Sequence, residues 1–206
     1  MMIGQWLPVP IGSQPLPTIQ QKTSIWEIRT AGNAGGFAFF LPKGKNPLPV
    51  RTHLEWSWSV EKYPKIGPKP PTQKEGDDYA IRVGALVAGN KSLVLPSELS
   101  KLVKRHGTAV SYIVFYCASE NSKWWGRCIV NPFSDHVVNC FRGAANRMSK
   151  VSEMPLDDLV KTLALVAEEA AKLSVSGVWI LSDSDNSASE SLAHLGELKV
   201  TYDDSK

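Results

Sequence analysis

The chain has 206 residues, 43% hydrophobic and 21% charged, which suits one soluble globular domain (1–206) with a sizeable buried core. A formal charge of +3, spread along the chain, lacks the basic footprint of a nucleic-acid binder. No apolar run approaches the roughly 20 residues that a membrane span needs.

The segment 1–22 holds Pro8, Pro10, Pro15 and Pro17, which forbid a helix and suit an extended edge segment anchored by Trp6. Its start, Met1-Met2-Ile3-Gly4-Gln5, lacks the basic and apolar regions of a secretory leader. That places the protein in the cytoplasm if Met1 is the true start, or outside it if a leader has been removed. Ser24 to Thr30 alternates as a strand, and the glycine-rich stretch 31–36 reads as a turn into Phe37 to Leu41, giving a hairpin. The cleanest strand is Thr52 to Val60, with Leu54, Trp56, Trp58 and Val60 on one face and Glu55, Ser57 and Ser59 on the other. Residues 61–75 form a long connection rich in proline and lysine, read as a mobile loop in preference to a binding lid. Tyr79 to Val87 alternates again, its apolar face formed by Tyr79, Ile81, Val83, Ala85 and Val87. Its other face carries Asp78 and Arg82.

Ser97 to His106 is a short helix, capped at Ser97 or a neighbour, stopped by Gly107 and ending in a solvated His106. Strands follow at 110–118, 124–130 and 135–141. Leu156, Leu159, Val160, Leu163, Val166, Ala167, Ala170 and Leu173 recur at helical spacing, so 155–173 is one long helix, with Pro155 in its first turn. A strand at 177–181, the polar run 182–187 and a last strand from Leu192 to Tyr202 complete the chain. About nine strands with one packed helix argue for a mainly β, antiparallel β-sandwich. Cys117, Cys128 and Cys140 cannot all pair, and their spacings match no zinc pattern. Cys117 and Cys128 read as small core residues, and at most one disulfide forms.

Four groups of residues invite chemistry. Asp77 and Asp78 suggest acid/base work, but neighbours on a strand point to opposite faces unless a bulge turns one of them. Asp78 and Arg82 share a face about 13 Å apart, so each needs a partner from another strand, and Glu55 is the mate expected for Arg82. Trp124 and Trp125 place one indole on each face of a strand, where an exposed ring stacks on a sugar unless a loop covers it. Asp183, Asp185 and Asn186 offer hard oxygen ligands for an irregular calcium site, or else an Asp/Asn turn that satisfies its own backbone. An EF-hand is excluded by Ala188 and His194 at its glycine and glutamate positions.

Taken together, Leu54-Glu55-Trp56-Ser57-Trp58-Ser59-Val60, Gly76-Asp77-Asp78-Tyr79-Ala80-Ile81-Arg82-Val83 and Ile180-Leu181-Ser182-Asp183-Ser184-Asp185-Asn186-Ser187 resemble the bacterial family called domain of unknown function 3047. Ser57 departs from the basic residue expected between the tryptophans, and Ser182 and Ser187 from threonines. The resemblance implies a jelly-roll or galactose-binding-like sandwich. The leading reading is a non-catalytic binding module for a glycan or another polar small molecule, with Asp77, Asp78, Arg82, Trp124 and Trp125 at its site and calcium as its only candidate ion. The alternatives are a polysaccharide hydrolase or lyase using Asp78, Arg82 and Glu55, and a scaffold for protein partners.

Overall fold

The computed structural model describes residues 6–41, 52–67 and 69–202, so Met1–Gln5 of the proline-rich start and Pro68 of the long connection lie outside the described residues. Two sheets face each other. One has seven strands and the other five, and the proline-rich start supplies an edge to each: β1 (Leu7–Pro10) to the larger and β2 (Thr18–Lys22) to the smaller. Edge strands tolerate proline because one side of the backbone has no ladder to serve.

The next two strands, β3 (Ile25–Ala31) and β4 (Ala34–Phe40), are not the expected hairpin. β3 lies in the five-stranded sheet and β4 in the seven-stranded one. The chain changes sheet at Gly32, whose φ of 66° suits glycine, and at Asn33. The Asn33 side chain accepts from Ala31 N at 3.0 Å and donates to the Pro15 carbonyl at 3.0 Å. Alternation in each arm is the same whether the strands pair or cross.

Strand β5 (Thr52–Lys62) turns Leu54, Trp56, Trp58 and Val60 into the space between the sheets and leaves Glu55 exposed, as its alternation requires. The seven-stranded sheet is completed by β6 (Tyr79–Ala88), β7 (Tyr112–Ser119), β8 (Cys128–Asn131), β9 (Ser134–Gly143) and β11 (Ser174–Asp183), in the order β1-β4-β11-β6-β7-β9-β8. The smaller sheet adds β10 (Ser149–Glu153) and β12 (Glu190–Tyr202), in the order β10-β5-β12-β3-β2. The ladders are antiparallel except β7 with β9, which run parallel. Trp124 and Trp125 are not on a strand: a single 3-10 turn, Ser122–Trp124, precedes β8.

The larger sheet is buried on both faces. Its inner face meets the five-stranded sheet, while the outer face packs against α1 (Ser97–His106) through Leu99, Leu102 and Val103. Ser97 is the first helical residue and makes no cap, and His106 stacks on Phe40 with ring centroids 4.8 Å apart. The expected long helix is two pieces, α2 (Pro155–Leu163) and α3 (Ala167–Ala170). The break is at Ala164, whose φ of 50° is left-handed and ends the first piece. Cys128 and Cys140 face each other across β8 and β9 and form a disulfide, so Cys128 is not a free core thiol. Cys117 is buried and unpaired.

Candidate functional site

The site begins with an irregularity in β6. Arg82 stands opposite Leu181 and Tyr79 opposite Asp183, so Ala80 and Ile81 together oppose the single residue Ser182. This is a β-bulge. Both bulged residues face the inter-sheet core, and Tyr79 is thereby moved to the outer face with Arg82, contrary to the simple alternation. The Ser182 hydroxyl donates to the Ala80 carbonyl at 2.6 Å and fixes the bulge. The Arg82 guanidinium then lies 4.5 Å from the Tyr79 ring centroid and 5.5 Å from that of Phe115.

A 3-10 turn, Lys74–Gly76, brings Asp77 back over the start of the strand. Arg82 Nη2 donates to the Asp77 carbonyl at 2.7 Å, and Nη1 lies 3.3 Å from its carboxylate. The second partner of Arg82 is Asp183, whose other oxygen accepts from Tyr79 N at 2.8 Å. Glu55 is not involved, because it sits on the opposite sheet facing solvent. Asn131 and Asn139 also donate to Asp77, at 3.2 and 2.9 Å. Neither asparagine was among the expected site residues. Asn139 carried a signal nonetheless, a polar side chain inside the apolar run Val137 to Phe141.

Asp78 points elsewhere. It accepts from Asn186 N, Asn186 Nδ2 and Ser187 N, at 3.3, 2.9 and 2.6 Å, and so holds the 184–187 turn. That turn is held from 108 residues away and also by one of its own side chains, Ser187 Oγ donating to the Ser184 carbonyl at 3.3 Å. Carboxylate oxygens of Asp78, Asp183 and Asp185 lie within 4.8 Å of one another, whereas Asn186 faces Asp78 as a donor.

Asp77, Arg82, Asn131 and Asp183 line a cavity of about 300 Å³ on the outer face of the large sheet. Val94 and Phe133, both exposed, stand at its rim. Two carboxyls share one guanidinium there, away from water. Burial pushes Asp183 up to about 8, against the pull of Arg82 and with the help of the negative charges on Asp77 and Asp78. Burial raises Asp77 too, while Arg82, Asn131 and Asn139 lower it. Trp124 lies in a neighbouring cavity with Asp78, and Trp125, half exposed, donates its indole N–H to the Ser119 carbonyl at 2.8 Å. Of the expected site residues, Asp77, Arg82, Asp183, Asp185 and Asn186 thus line one cavity and Asp78 and Trp124 the other, while Glu55 and Trp125 line neither.

A family described as protein of unknown function (DUF3047) matches residues 16–199. The chain belongs to this family. No curated protein matches the DUF3047 chain. Among solved structures, it is similar to a family 12 glycoside hydrolase from a comparison of such enzymes and their thermal stability. Identity is 8%, coverage is 95% of this chain and 90% of that one, and the TM-score is 0.51. It is also similar to the xyloglucanase domain of NopAA, a type three effector from Sinorhizobium fredii in complex with cellobiose. There identity is 12%, coverage 96% and 93%, and the TM-score 0.47. At these identities the likeness concerns the fold, a two-sheet jelly roll. This likeness to a glycoside hydrolase fold removes the ground for the leading expectation of a non-catalytic binding module.

Proposed function

We propose that this protein is a hydrolase of a neutral polysaccharide, acting in the cavity at Asp183, Asp77 and Arg82. The observation that carries the reading is the pair of buried carboxyls beside one cavity, in a fold similar to that of a glycoside hydrolase. Glycoside hydrolysis requires two carboxyl groups in different protonation states. Asp183, held up to about 8 by burial, keeps a proton at neutral pH and serves as the acid. Asp77 is also raised by burial, but it receives hydrogen bonds from Arg82, Asn131 and Asn139 that favour its charged form, and it serves as the base.

In that reaction the Asp183 proton passes to the glycosidic oxygen as its bond to the anomeric carbon breaks. Asp77 takes a proton from the water that attacks that carbon, and one water is consumed per bond cut. Arg82 keeps both carboxyls aimed at the cavity and limits their mutual repulsion. Neutral β-linked glucans, which carry no charge to meet the buried carboxyls, make up the panel to try first.

The test is reducing-sugar release from xyloglucan, mixed-linkage β-glucan and soluble cellulose derivatives. Wild type should release sugar, with a rate that falls as pH rises through about 8 while Asp183 loses its proton. Asp183→Asn should cut the rate at least about 100-fold with the circular dichroism spectrum unchanged. No release from any of the three by wild type, or full activity in the variant, would overturn the reading.

A further inference from the structure

The connection 61–75 roofs a second cavity. Its volume is about 330 Å³, at the small end of ligand pockets and enough for one or two sugar rings. Tyr79, Phe141 and Trp124 supply aromatic walls, Asp78 and Glu120 stand at its polar side, and Ile66 closes it from the loop. The roof is fastened at several points. Tyr63 donates its hydroxyl to the Ala144 carbonyl at 2.6 Å, and Lys65 N donates to the Ser189 hydroxyl at 2.9 Å. At the far end the chain passes so close over Gly76 that an added Cβ would lie 2.3 Å from the Pro70 carbonyl oxygen.

We propose that this roofed cavity is a binding subsite for a neutral sugar ring of the same polysaccharide. Three observations carry the assignment. Trp124 is half-buried, rests on Phe141 with ring centroids 5.6 Å apart, carries the Arg127 guanidinium 5.8 Å from its ring centroid, and lines the cavity, where the apolar face of a sugar can stack on it. The polar side pairs the carboxylates of Asp78 and Glu120 with Ser119, Asn121 and Lys69, a mixture of acceptors and donors that suits the hydroxyl groups of a neutral sugar. Asp78 has about four lone-pair sites. Among the described residues three are taken, by Asn186 N, Asn186 Nδ2 and Ser187 N, which leaves one for a ligand.

The position of the subsite follows from two adjacent residues. Asp77 lines the 300 Å³ cavity and Asp78 the 330 Å³ one, so the two spaces flank a single stretch of backbone. A chain bound at the first has its next units directed toward the second. The inference rests on the hydrolase reading for the identity of the sugar, and on the second cavity for its place.

The experiment measures binding and turnover separately, with cellobiose, cellotetraose, cellohexaose and a xyloglucan oligosaccharide as probes and tryptophan fluorescence and titration calorimetry as readouts. Wild type should bind the longer probes more tightly than cellobiose. Trp124→Ala should weaken binding of cellohexaose at least tenfold, and Trp124→Phe, which keeps an aromatic wall, should restore most of it. Because Trp124 also packs on Phe141, Ile66→Trp provides a second variant that fills the space from the roof without removing a core contact, and it should weaken binding similarly. Wild-type affinity in folded Trp124→Ala and Ile66→Trp, or no binding of any probe by wild type, overturns the subsite. Binding that depends on Trp124 without sugar release by wild type overturns the hydrolase reading and leaves the subsite standing.

Discussion

Arg82 is buried with carboxyls on two sides and aromatic rings beside it, so its removal leaves Asp77 buried without a counter-charge and Asp183 without its donor. Breaking such an arrangement from one side costs about 3–5 kcal/mol, more than the intact group contributes. Arg82→Met, which keeps much of the volume, should therefore lose about that much stability at pH 7 in urea denaturation, and a loss below about 1 kcal/mol would show that the pair is not buried as described. The pH dependence has a definite sign. Asp183 is raised from the usual 3.8 to about 8, so the folded protein holds this proton more tightly than the unfolded chain does. Its contribution is whole below pH 4 and is lost as pH rises through about 8. Melting temperature should accordingly decline across that window, Asp183→Asn should flatten the decline, and the deficit of Arg82→Met should shrink toward pH 4. Much of this was legible in the motif Gly76 to Arg82, which announced a buried arginine in need of partners. The partners themselves were not. Asp183 lies 101 residues away, and no local pattern links it to Arg82 more than to Glu55.

At the scale of elements, periodicity located strands and helices well and was silent on how they join. The apolar spacing from Leu156 to Leu173 continues through residue 164 as if one helix ran the whole way. Ala164 nevertheless adopts φ 50°, and alanine, the best helix former, advertises no stop there. A side chain in this left-handed region carries a cost of about 1–2 kcal/mol that glycine avoids. Ala164→Gly should stabilise the protein by about 1 kcal/mol, read as a higher urea midpoint with an unchanged slope. A lower midpoint would mean that α2 continues past Leu163. The crossing at Gly32-Asn33 is the same lesson in strands: β3 and β4 each show the right alternation, yet the decision to pair or to change sheet is made by Asn33 reaching the Pro15 carbonyl. The bulge in β6 is subtler still. It shifts one residue, Tyr79, to the other face, and without that shift Arg82 would have no aromatic neighbour on its own strand.

The whole molecule is a sandwich with an additional layer, since the large sheet is covered on both faces; one candidate cavity opens beside the start of α1 and the other lies under the long connection. The parallel pair β7 and β9 places β8 at the far edge of that sheet, where it is tied back to β9 by the disulfide of Cys128 and Cys140. β8 is short and, among the described residues, pairs with β9 alone, so the covalent link secures the edge that also carries Asn131 toward Asp77. Closing a loop of this size stabilises a fold by about 2–3 kcal/mol, mostly by restricting the unfolded chain. The third cysteine, Cys117, is sealed between β6 and β9, with its thiol pushed well above the usual range by burial, so it should not react while the protein is folded. These statements combine into one titration with a thiol reagent. The native protein should show no reactive thiol, the protein unfolded without reductant should show one, and the protein unfolded after reduction should show all three. Reduction should also lower the urea midpoint by the equivalent of about 2–3 kcal/mol, and Cys128→Ser with Cys140→Ser should reproduce that loss without reductant. Three thiols in the unreduced, unfolded chain would remove the tie on β8, and with it the account of how Asn131 is held against Asp77.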